Sequence, residues 1–385
     1  MTAGFAPILP GATIGFLGGG QLGRMTAMVA RSMGYDVVVL DPDADCPARP
    51  LASRAFTAKW SDAAAAAELA RLADVVTLEI EQIPLATLEA VAAHAPLRPS
   101  AAAVHIVQDR ARQKEWLVRE GFPLGAVRTA SSAAECAAAI AALGPAIVKS
   151  THGGYDGLGQ VRVTVASEGE AAWHGVGGGT TVVEQFLDIR EELSVLVARS
   201  ANGDVAVYSP SRNHHTRGVL TWAAIPSGAS ETLEREAMAL ARAITERLGI
   251  VGLLAVELFV LGDGTLLVNE LAPRTHNTYH HSELACATSQ FEQIVRAICG
   301  LPLGDPGIVV AGAIHNVLGD LWVDGAPPNF AAAMAVRGVR VHLYGKRESR
   351  PGRKMGHLSS VGATADEALA RVRNAYDALL RPNSR

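Results

Sequence analysis

The sequence lacks most of the features that would assign it to a specialised class. It has only four cysteines in 385 residues, Cys46, Cys136, Cys286 and Cys299. Their scatter fits neither a disulfide framework nor a zinc ligand set, so inert thiols in a reducing compartment are expected. There is no excess of positive charge: the net charge is −4, which argues against a general nucleic-acid binder and leaves room only for a local basic patch. No basic start followed by an apolar run marks a leader. Charges or glycines interrupt every apolar stretch well short of a membrane span. Internal repeats and low-complexity linkers are absent beyond alanine-rich helices. With 49% hydrophobic and 19% charged residues, the composition is that of a globular cytoplasmic protein, long enough for two or three domains.

Within this ordinary composition, one stretch carries chemistry. In Leu253–Asn277, the apolar runs Leu253–Val260 and Leu266–Leu271 flank Gly262-Asp263-Gly264. Asp-Gly between such runs predicts a tight hairpin with both turn residues at positive φ. With Asp263 and Gly264 as the loop, Glu257 falls opposite Glu270. Like charges facing each other on a sheet are destabilising, and charges in apolar strands need compensation. A divalent cation between the carboxylates would supply it, since Mg²⁺ is held by one or two carboxylates plus substrate phosphates. The alternative is an exposed edge with two solvated glutamates.

The N-terminal third alternates strands and helices. Strand 12–18 runs into Gly18-Gly19-Gly20-Gln21-Leu22-Gly23 and a helix over Leu22–Met33, followed by strand Asp36–Leu40, helix Ala63–Leu72, strand Asp74–Leu78 and helix Leu85–His94. That is a parallel sheet covered by helices. The glycines fit G-x-G-x-x-G, and Asp41 stands roughly 20 residues on, where a ribose-binding acid would sit. A nicotinamide dehydrogenase is therefore one reading. The same turn could instead bind another phosphate or pack a helix closely on the sheet.

Further on, Ala146–Gln160 (AIVKSTHGGYDGLGQ) reads as a strand ending in Lys149, then a loop with the glycines Gly153, Gly154, Gly157 and Gly159, then a second strand. Such a hairpin can fold over a triphosphate with its N–H groups facing the anion, and Lys149 adds a point charge. It is no Walker loop, because no GK[ST] follows. Thr181–Leu187 and the segments to Ile225 read as antiparallel strands, and Glu231–Leu248 as an amphipathic helix. The adjacent His214 and His215 point to opposite faces of a strand and make no metal pair. Near the C-terminus, Lys346–Lys354 holds five positive side chains and one negative, a solvated loop or a phosphate clamp. A final helix is expected near Ala365–Leu379.

Taken in order, GFLGGGQLGRM, LDPD, VTLEIEQIP, QDR, IVKSTHGGYDGLGQ, VVEQFL…REELS, AVELFV, LLVNELAPRTHN, TSQFEQ and YGK…RPGRKMGH resemble the 5-(carboxyamino)imidazole ribonucleotide synthases, the ATP-grasp carboxylases of purine biosynthesis. The resemblance covers nearly the whole chain. It implies an α/β and α+β protein with a Rossmann-like parallel-sheet domain (1–107), an ATP-grasp domain of two lobes (108–303) and a small mixed C-terminal domain (304–385). The implied reaction is ATP-dependent carboxylation of 5-aminoimidazole ribonucleotide by bicarbonate through carboxyphosphate, releasing ADP and phosphate. The implied cofactor is Mg²⁺, with Mn²⁺ as a substitute, and the partners are these small molecules in a cytoplasmic homodimer, with no nucleic acid or membrane.

By motif match, Arg110 and Lys149 contact ATP phosphates under a flap of Gly154, Tyr155, Asp156, Gly157, Leu158, Gly159 and Gln160. Glu184, Gln185, Phe186 and Leu187 form the adenine edge, Glu192 meets the ribose hydroxyls, and His215 stands near the nucleotide. Glu257 and Glu270 match the metal ligands with Asn269 beside them, and Arg274 the bicarbonate site. Tyr155, Asp156, His276, Asn277, Lys346 and Arg353 are the candidates for the ribonucleotide, and Arg274, Lys149 and Asp156 for catalysis. Leu158 replaces the family's arginine in YDGRG, which admits a non-catalytic ATP-binding relative as an alternative. Lys346 and Arg347 compete for the phosphate role because the segment is one residue longer. His280 and His281 take no assigned role and are read as structural or surface groups.

Overall fold

The computed structural model describes residues 6–153 and 159–381. Among them, no helix is long and apolar enough to cross a membrane. Three sheets organise the chain. The first is parallel: β1 (Thr13–Leu17), β2 (Asp36–Asp41), β3 (Arg54–Thr57) and β4 (Val75–Leu78) lie in the order β3-β2-β1-β4. The apolar runs of β1, β2 and β4 are almost entirely buried, as a sheet covered on both faces requires. The short edge strand β3 has exposed ends, Arg54 and Thr57, and carried no readable pattern.

The glycine turn after β1 has an unexpected occupant. Gly20 and Gly23 donate their N–H groups to the two carboxylate oxygens of Glu79, each at 2.6 Å. Gly19 donates to Asp41 at 2.7 Å. A Cβ on Gly20 would stand 2.4 Å from Glu79 Oε1, so glycine here admits the side chain of β4's end. The anion at the N-terminus of helix Gln21–Ser32 is thus the protein's own carboxylate. This corrects the dinucleotide alternative: Glu79 fills the pyrophosphate position, and Asp41 faces the turn rather than a ribose.

The second sheet holds β5 (Val127–Ala130), β6 (Ala146–Ser150), β7 (Gln160–Val163) and β8 (Thr181–Gln185) in the order β5-β8-β6-β7. Strands β6 and β7 form the anticipated hairpin, with Lys149 opposite Gln160. The flap candidates Gly154, Tyr155, Asp156, Gly157 and Leu158 lie outside the described residues.

The third sheet contains β9 (Ile189–Arg199), β10 (Val205–Val207), β11 (Ser211–Thr216), β12 (Val219–Ile225), β13 (Gly252–Leu261), β14 (Leu266–Ala272), β15 (Ala311–Leu318), β16 (Val339–Leu343) and β17 (Lys354–Gly362). Helix Glu231–Arg247 covers it with Leu233, Ala237, Ala241 and Ile244, packed on Leu193, Val195, Leu254 and Val256. Its ends are built by Ser230, which caps Leu233 N–H, by Glu231 and Glu234 in the first turn, and by Arg247 in the last, each complementing the helix dipole. The C-terminal strands continue this sheet, since β12 pairs with β15. The C-terminal segment is therefore joined to the lobe built by β9–β14 through a backbone ladder.

The hairpin β13–β14 differs from the expected two-residue turn. Leu261 pairs with Thr265, so Gly262, Asp263 and Gly264 form a three-residue loop, with Gly264 at φ +89°. Such a loop moves the register by one residue. A bulge at Asn269 moves it back, and Glu257 stands opposite Glu270 after all. The bulge directs Asn269 as well as Glu270 toward the same partner.

Replacing Glu79 by alanine leaves two buried N–H groups without their carboxylate. We expect the thermal unfolding midpoint to fall by roughly 3–8 °C. Added nicotinamide dinucleotide should leave the parent midpoint unmoved; a saturable rise would reinstate the dinucleotide reading.

Candidate active site

The carboxylate pair is the centre of the site. Glu257 Oε2 accepts from Asn269 Nδ2 at 3.3 Å, and Glu257 Oε1 lies 3.4 Å from His276 Nε2. Burial, opposed by the charge of His215 and reinforced by those of Glu270 and Glu192, lifts the Glu257 carboxyl to about 7. His215 forms a 2.6 Å ion pair with Glu192. Burial disfavours its charged form, but Glu192 and Glu257 outweigh burial and raise its pKa. His276 differs: burial and the Arg274 charge push its pKa well below the usual value, so its imidazole is neutral. A proton on Glu257 is what two facing carboxylates need when no cation lies between them.

A second cluster lies between the two lobes. Glu184, near the end of β8, receives Lys149 Nζ at 2.8 Å and Lys114 Nζ at 3.3 Å. Burial works against its charge, but the two ammonium groups prevail and hold its carboxyl at about 2. Lys114 also donates to the Asn269 carbonyl at 2.7 Å, which ties this cluster to the carboxylate hairpin. Ile147, Phe186, Leu187, Phe259 and Val268 line the adjoining cleft, an apolar slot suited to a flat base. Gln185 and Phe186 spend their N–H groups on the carbonyls of Ala126 and Pro145. Arg162 stacks on the Phe186 ring at 3.8 Å. Arg110 donates to the carbonyl of Ser150 at 3.0 Å, beside Lys149.

Sequence reasoning missed Lys114. It follows Arg110 by four residues on helix Arg110–Arg119, hence on the same face, and that spacing was the available signal. Glu81 was missed too. Its carboxylate holds Arg274 at two points, Nε at 2.6 Å and Nη2 at 3.1 Å. This bidentate pair links the loop after β4 to the segment after β14. Burial disfavours both charges, yet each partner stabilises the other, so the Glu81 pKa falls and that of Arg274 rises.

Next to Arg274, the side chain of Asn277 is buried with neither amide atom hydrogen-bonded. Lys346 reaches inward, donating to Gln21 Oε1 at 2.9 Å and to the Lys354 carbonyl at 2.7 Å. Arg347 turns away to a surface pair with Asp45 at 2.6 Å, so the geometry separates the two rivals. Arg353 is not brought to the centre: its guanidinium donates to the Glu348 carbonyl at 2.9 Å and ties down its own loop. His280 and His281 are both fully buried, which excludes a surface role. Burial lowers His281 to about 3, and its Nε2 meets Ser211 Oγ at 2.9 Å.

Two lobes that enclose paired lysines, an apolar slot and a carboxylate hairpin define an ATP-grasp enzyme, and the ATP-grasp domain model matches residues 115–291. A ribonucleotide synthetase preATP-grasp domain matches 11–108, and a phosphoribosylaminoimidazole carboxylase C-terminal domain matches 312–371. The chain belongs to the N5-carboxyaminoimidazole ribonucleotide synthase family. The Brucella melitensis synthase is 40% identical over 355 residues, 91% of this chain and 97% of the relative. That of Bacillus subtilis is 37% identical over 96% of each chain. An N5-carboxyaminoimidazole ribonucleotide synthetase solved as its ADP complex superposes with a TM-score of 0.91 at 36% identity, covering 98% of each chain. The Aspergillus clavatus synthase in complex with ADP and 5-aminoimidazole ribonucleotide gives 0.87 at 29% identity, covering 96% of this chain and 98% of that one.

The raised Glu257 pKa has a sign that can be tested. Between the ordinary value of 4.5 and about 7, the folded state holds more protons than the unfolded state. Stability therefore falls as pH rises through that window. In metal-free buffer, Glu257→Gln should unfold a few degrees above the parent at pH 8 and show no such gain at pH 4.5. Equal midpoints at pH 8 would mean that the carboxylate is already compensated.

Proposed function

We propose that this chain carboxylates the exocyclic amine of 5-aminoimidazole ribonucleotide with bicarbonate, driven by ATP, and releases ADP and phosphate. The observation that carries the reading is the Glu257–Glu270 pair together with half-buried Arg274, held by Glu81, and the unpartnered Asn277 amide. Family membership supports it, as does the ribonucleotide bound in the Aspergillus relative.

Two hard carboxylates, one of them with its pKa raised by burial and by the charge of the other, suit Mg²⁺, and Mn²⁺ in its place. Held by Glu257 and Glu270, the cation supplies charge neutralisation on the ATP phosphates. Lys149 and Arg110 exchange protein oxygens for phosphate oxygens. Glu184–Leu187 border the adenine slot, where Leu187 offers its main-chain N–H, and Glu192 with His215 orients the ribose.

Bicarbonate is a poor electrophile, and phosphorylation gives it a leaving group. Its oxygen attacks the γ-phosphorus, ADP departs, and carboxyphosphate remains beside Arg274. Arg274, preset by Glu81, meets the growing carboxyl charge without reorganising. Asn277 supplies one donor and one acceptor to the carboxyl or the amine. The amine nitrogen then forms the new bond to the carboxyl carbon as phosphate leaves. Asp156 or a substrate oxygen takes the amine proton, and the glycine-rich flap excludes water from the labile intermediate. Lys346, set between Gln21 and the backbone of Lys354, holds the ribonucleotide phosphate, joined by Tyr155 and His276. We place the enzyme in the cytoplasm as a homodimer; light scattering of the purified chain tests the dimer.

The test is phosphate release from Mg²⁺-ATP, with carboxylated product measured in parallel. Turnover should require the ribonucleotide, and product should require bicarbonate. Arg274→Ala and Glu257→Gln should each lower kcat by at least about 10²–10³-fold. ATP binding with no phosphate release in any mixture would instead identify a non-catalytic relative, with Leu158→Arg the first variant to restore activity.

A further inference from the structure

The carboxylase reading leaves an imidazole-rich cluster unused. His342 and His357 face each other across β16 and β17 in direct register. Their rings lie 5.1 Å apart and nearly parallel, with an interplanar angle of 7°. Glu283, on the short helix Ser282–Ala285, completes the group. Its ligand atom and those of the two histidines lie within 4.8 Å of one another. Among the described residues, no other group of three or more His, Cys, Asp or Glu meets this criterion.

Three features make this more than a chance cluster. First, Tyr344 Oη lies 2.9 Å from His357 Nδ1. When the hydroxyl accepts the Nδ1 proton, the Nε2 lone pair is free to bind a metal, and such a group is the usual outer partner of a ligating histidine. Second, His280 stacks on His357 at 4.7 Å. It is fully buried, and its Nε2 has no hydrogen-bond partner, a polar atom left over in an apolar place. Third, the Glu283 carboxylate makes no hydrogen bond or ion pair with any described residue, and the residue is exposed, so an ion has a path in from solvent.

We propose that Glu283, His342 and His357 form a second metal site that takes Zn²⁺ or a similar borderline transition ion, distinct from the Glu257–Glu270 pair. Two imidazole nitrogens and one carboxylate are a zinc donor set, with the fourth position left to water. The same set discriminates against Mg²⁺, which prefers oxygen ligands in octahedral array. Tetrahedral ligands at about 2.0–2.1 Å from zinc stand roughly 3.3 Å apart, so the exposed Glu283 moves in and the half-buried His342 ring turns out of its stack to aim its lone pair at the ion.

The position gives the ion a structural task. Strands β16 and β17 lead into and out of the loop that carries Lys346. Glu283 follows closely on the Arg274–Asn277 segment. The neighbouring His280 meets Gln290 at 3.2 Å, and Gln290 in turn bonds both the N–H and the carbonyl of His276. A metal here fastens the C-terminal hairpin to the segment that presents His276 and Asn277.

The full-length chain, stripped with a chelator and kept in millimolar Mg²⁺, is titrated with Co²⁺ and then Zn²⁺. About one Co²⁺ per chain should give the visible absorption of a tetrahedral site, and Zn²⁺ should displace it and raise the unfolding midpoint. His342→Ala and Glu283→Gln should each weaken Zn²⁺ binding by at least about 10-fold, while Glu257→Gln leaves the absorption intact. Circular dichroism confirms that each variant is folded. The proposal is overturned if no saturable Co²⁺ or Zn²⁺ binding occurs. It is equally overturned if binding persists undiminished in both cluster variants, or disappears in Glu257→Gln alone.

Discussion

Two carboxylates that face each other on a buried sheet repel, and much of the catalytic region is arranged around that repulsion. Glu257 and Glu270 stand opposite each other on β13 and β14, and neighbouring groups compensate in different ways. Asn269 donates to Glu257, the charge of His215 counters it, and His276 approaches as a neutral imidazole. Burial and the remaining charge imbalance appear as a raised Glu257 pKa rather than as a disrupted strand. A site that holds a proton when empty is one that a divalent cation can occupy by displacing that proton. The geometry that costs stability is thus the one that suits a cation.

The same electrostatics, with donors and acceptors exchanged, explains the N-terminal sheet. A glycine turn at a helix N-terminus is an anion site, and here the anion is Glu79. The related segment after β4 supplies Glu81, which grips Arg274 from across the interface. Two nearby glutamates therefore serve different ends. One satisfies the glycine turn of its own sheet, and the other fixes the Arg274 guanidinium after β14. Gln21, at the start of the helix capped by Glu79, also meets Lys346 from the C-terminal hairpin. The parallel sheet contributes to the site through its strand ends and loops, and the C-terminal strands contribute through the ladder that joins β12 to β15.

Much of this was legible in the chain. Apolar runs between turn residues marked β1, β2, β4 and the β13–β14 hairpin, an amphipathic pattern marked a helix over Glu231–Leu248, which the structure ends at Arg247, and the final helix near Ala365–Leu379 was also read. These signals are local and need no tertiary partner. The facing of Glu257 and Glu270 was also legible, although by compensation: a three-residue loop and a bulge each shift the register by one. Hairpin arithmetic cannot see the bulge, because its driving force lies in the contacts of Asn269 with Glu257 and of its carbonyl with Lys114.

The sequence by itself determined the class of elements, the charge of the site and the family, because pattern, turn chemistry and ordered motifs are properties of neighbours along the chain. Only the tertiary structure decided who compensates whom. It showed that Glu79 rather than a dinucleotide occupies the glycine turn, that Glu81 holds Arg274, that Lys114 joins Lys149 on Glu184, and that Lys346 points inward while Arg347 does not. It also buried His280 and brought Glu283, His342 and His357 together. Each of these is a contact between residues far apart in sequence, and Coulombic and hydrogen-bond energies depend on distance and burial, which a linear pattern does not encode.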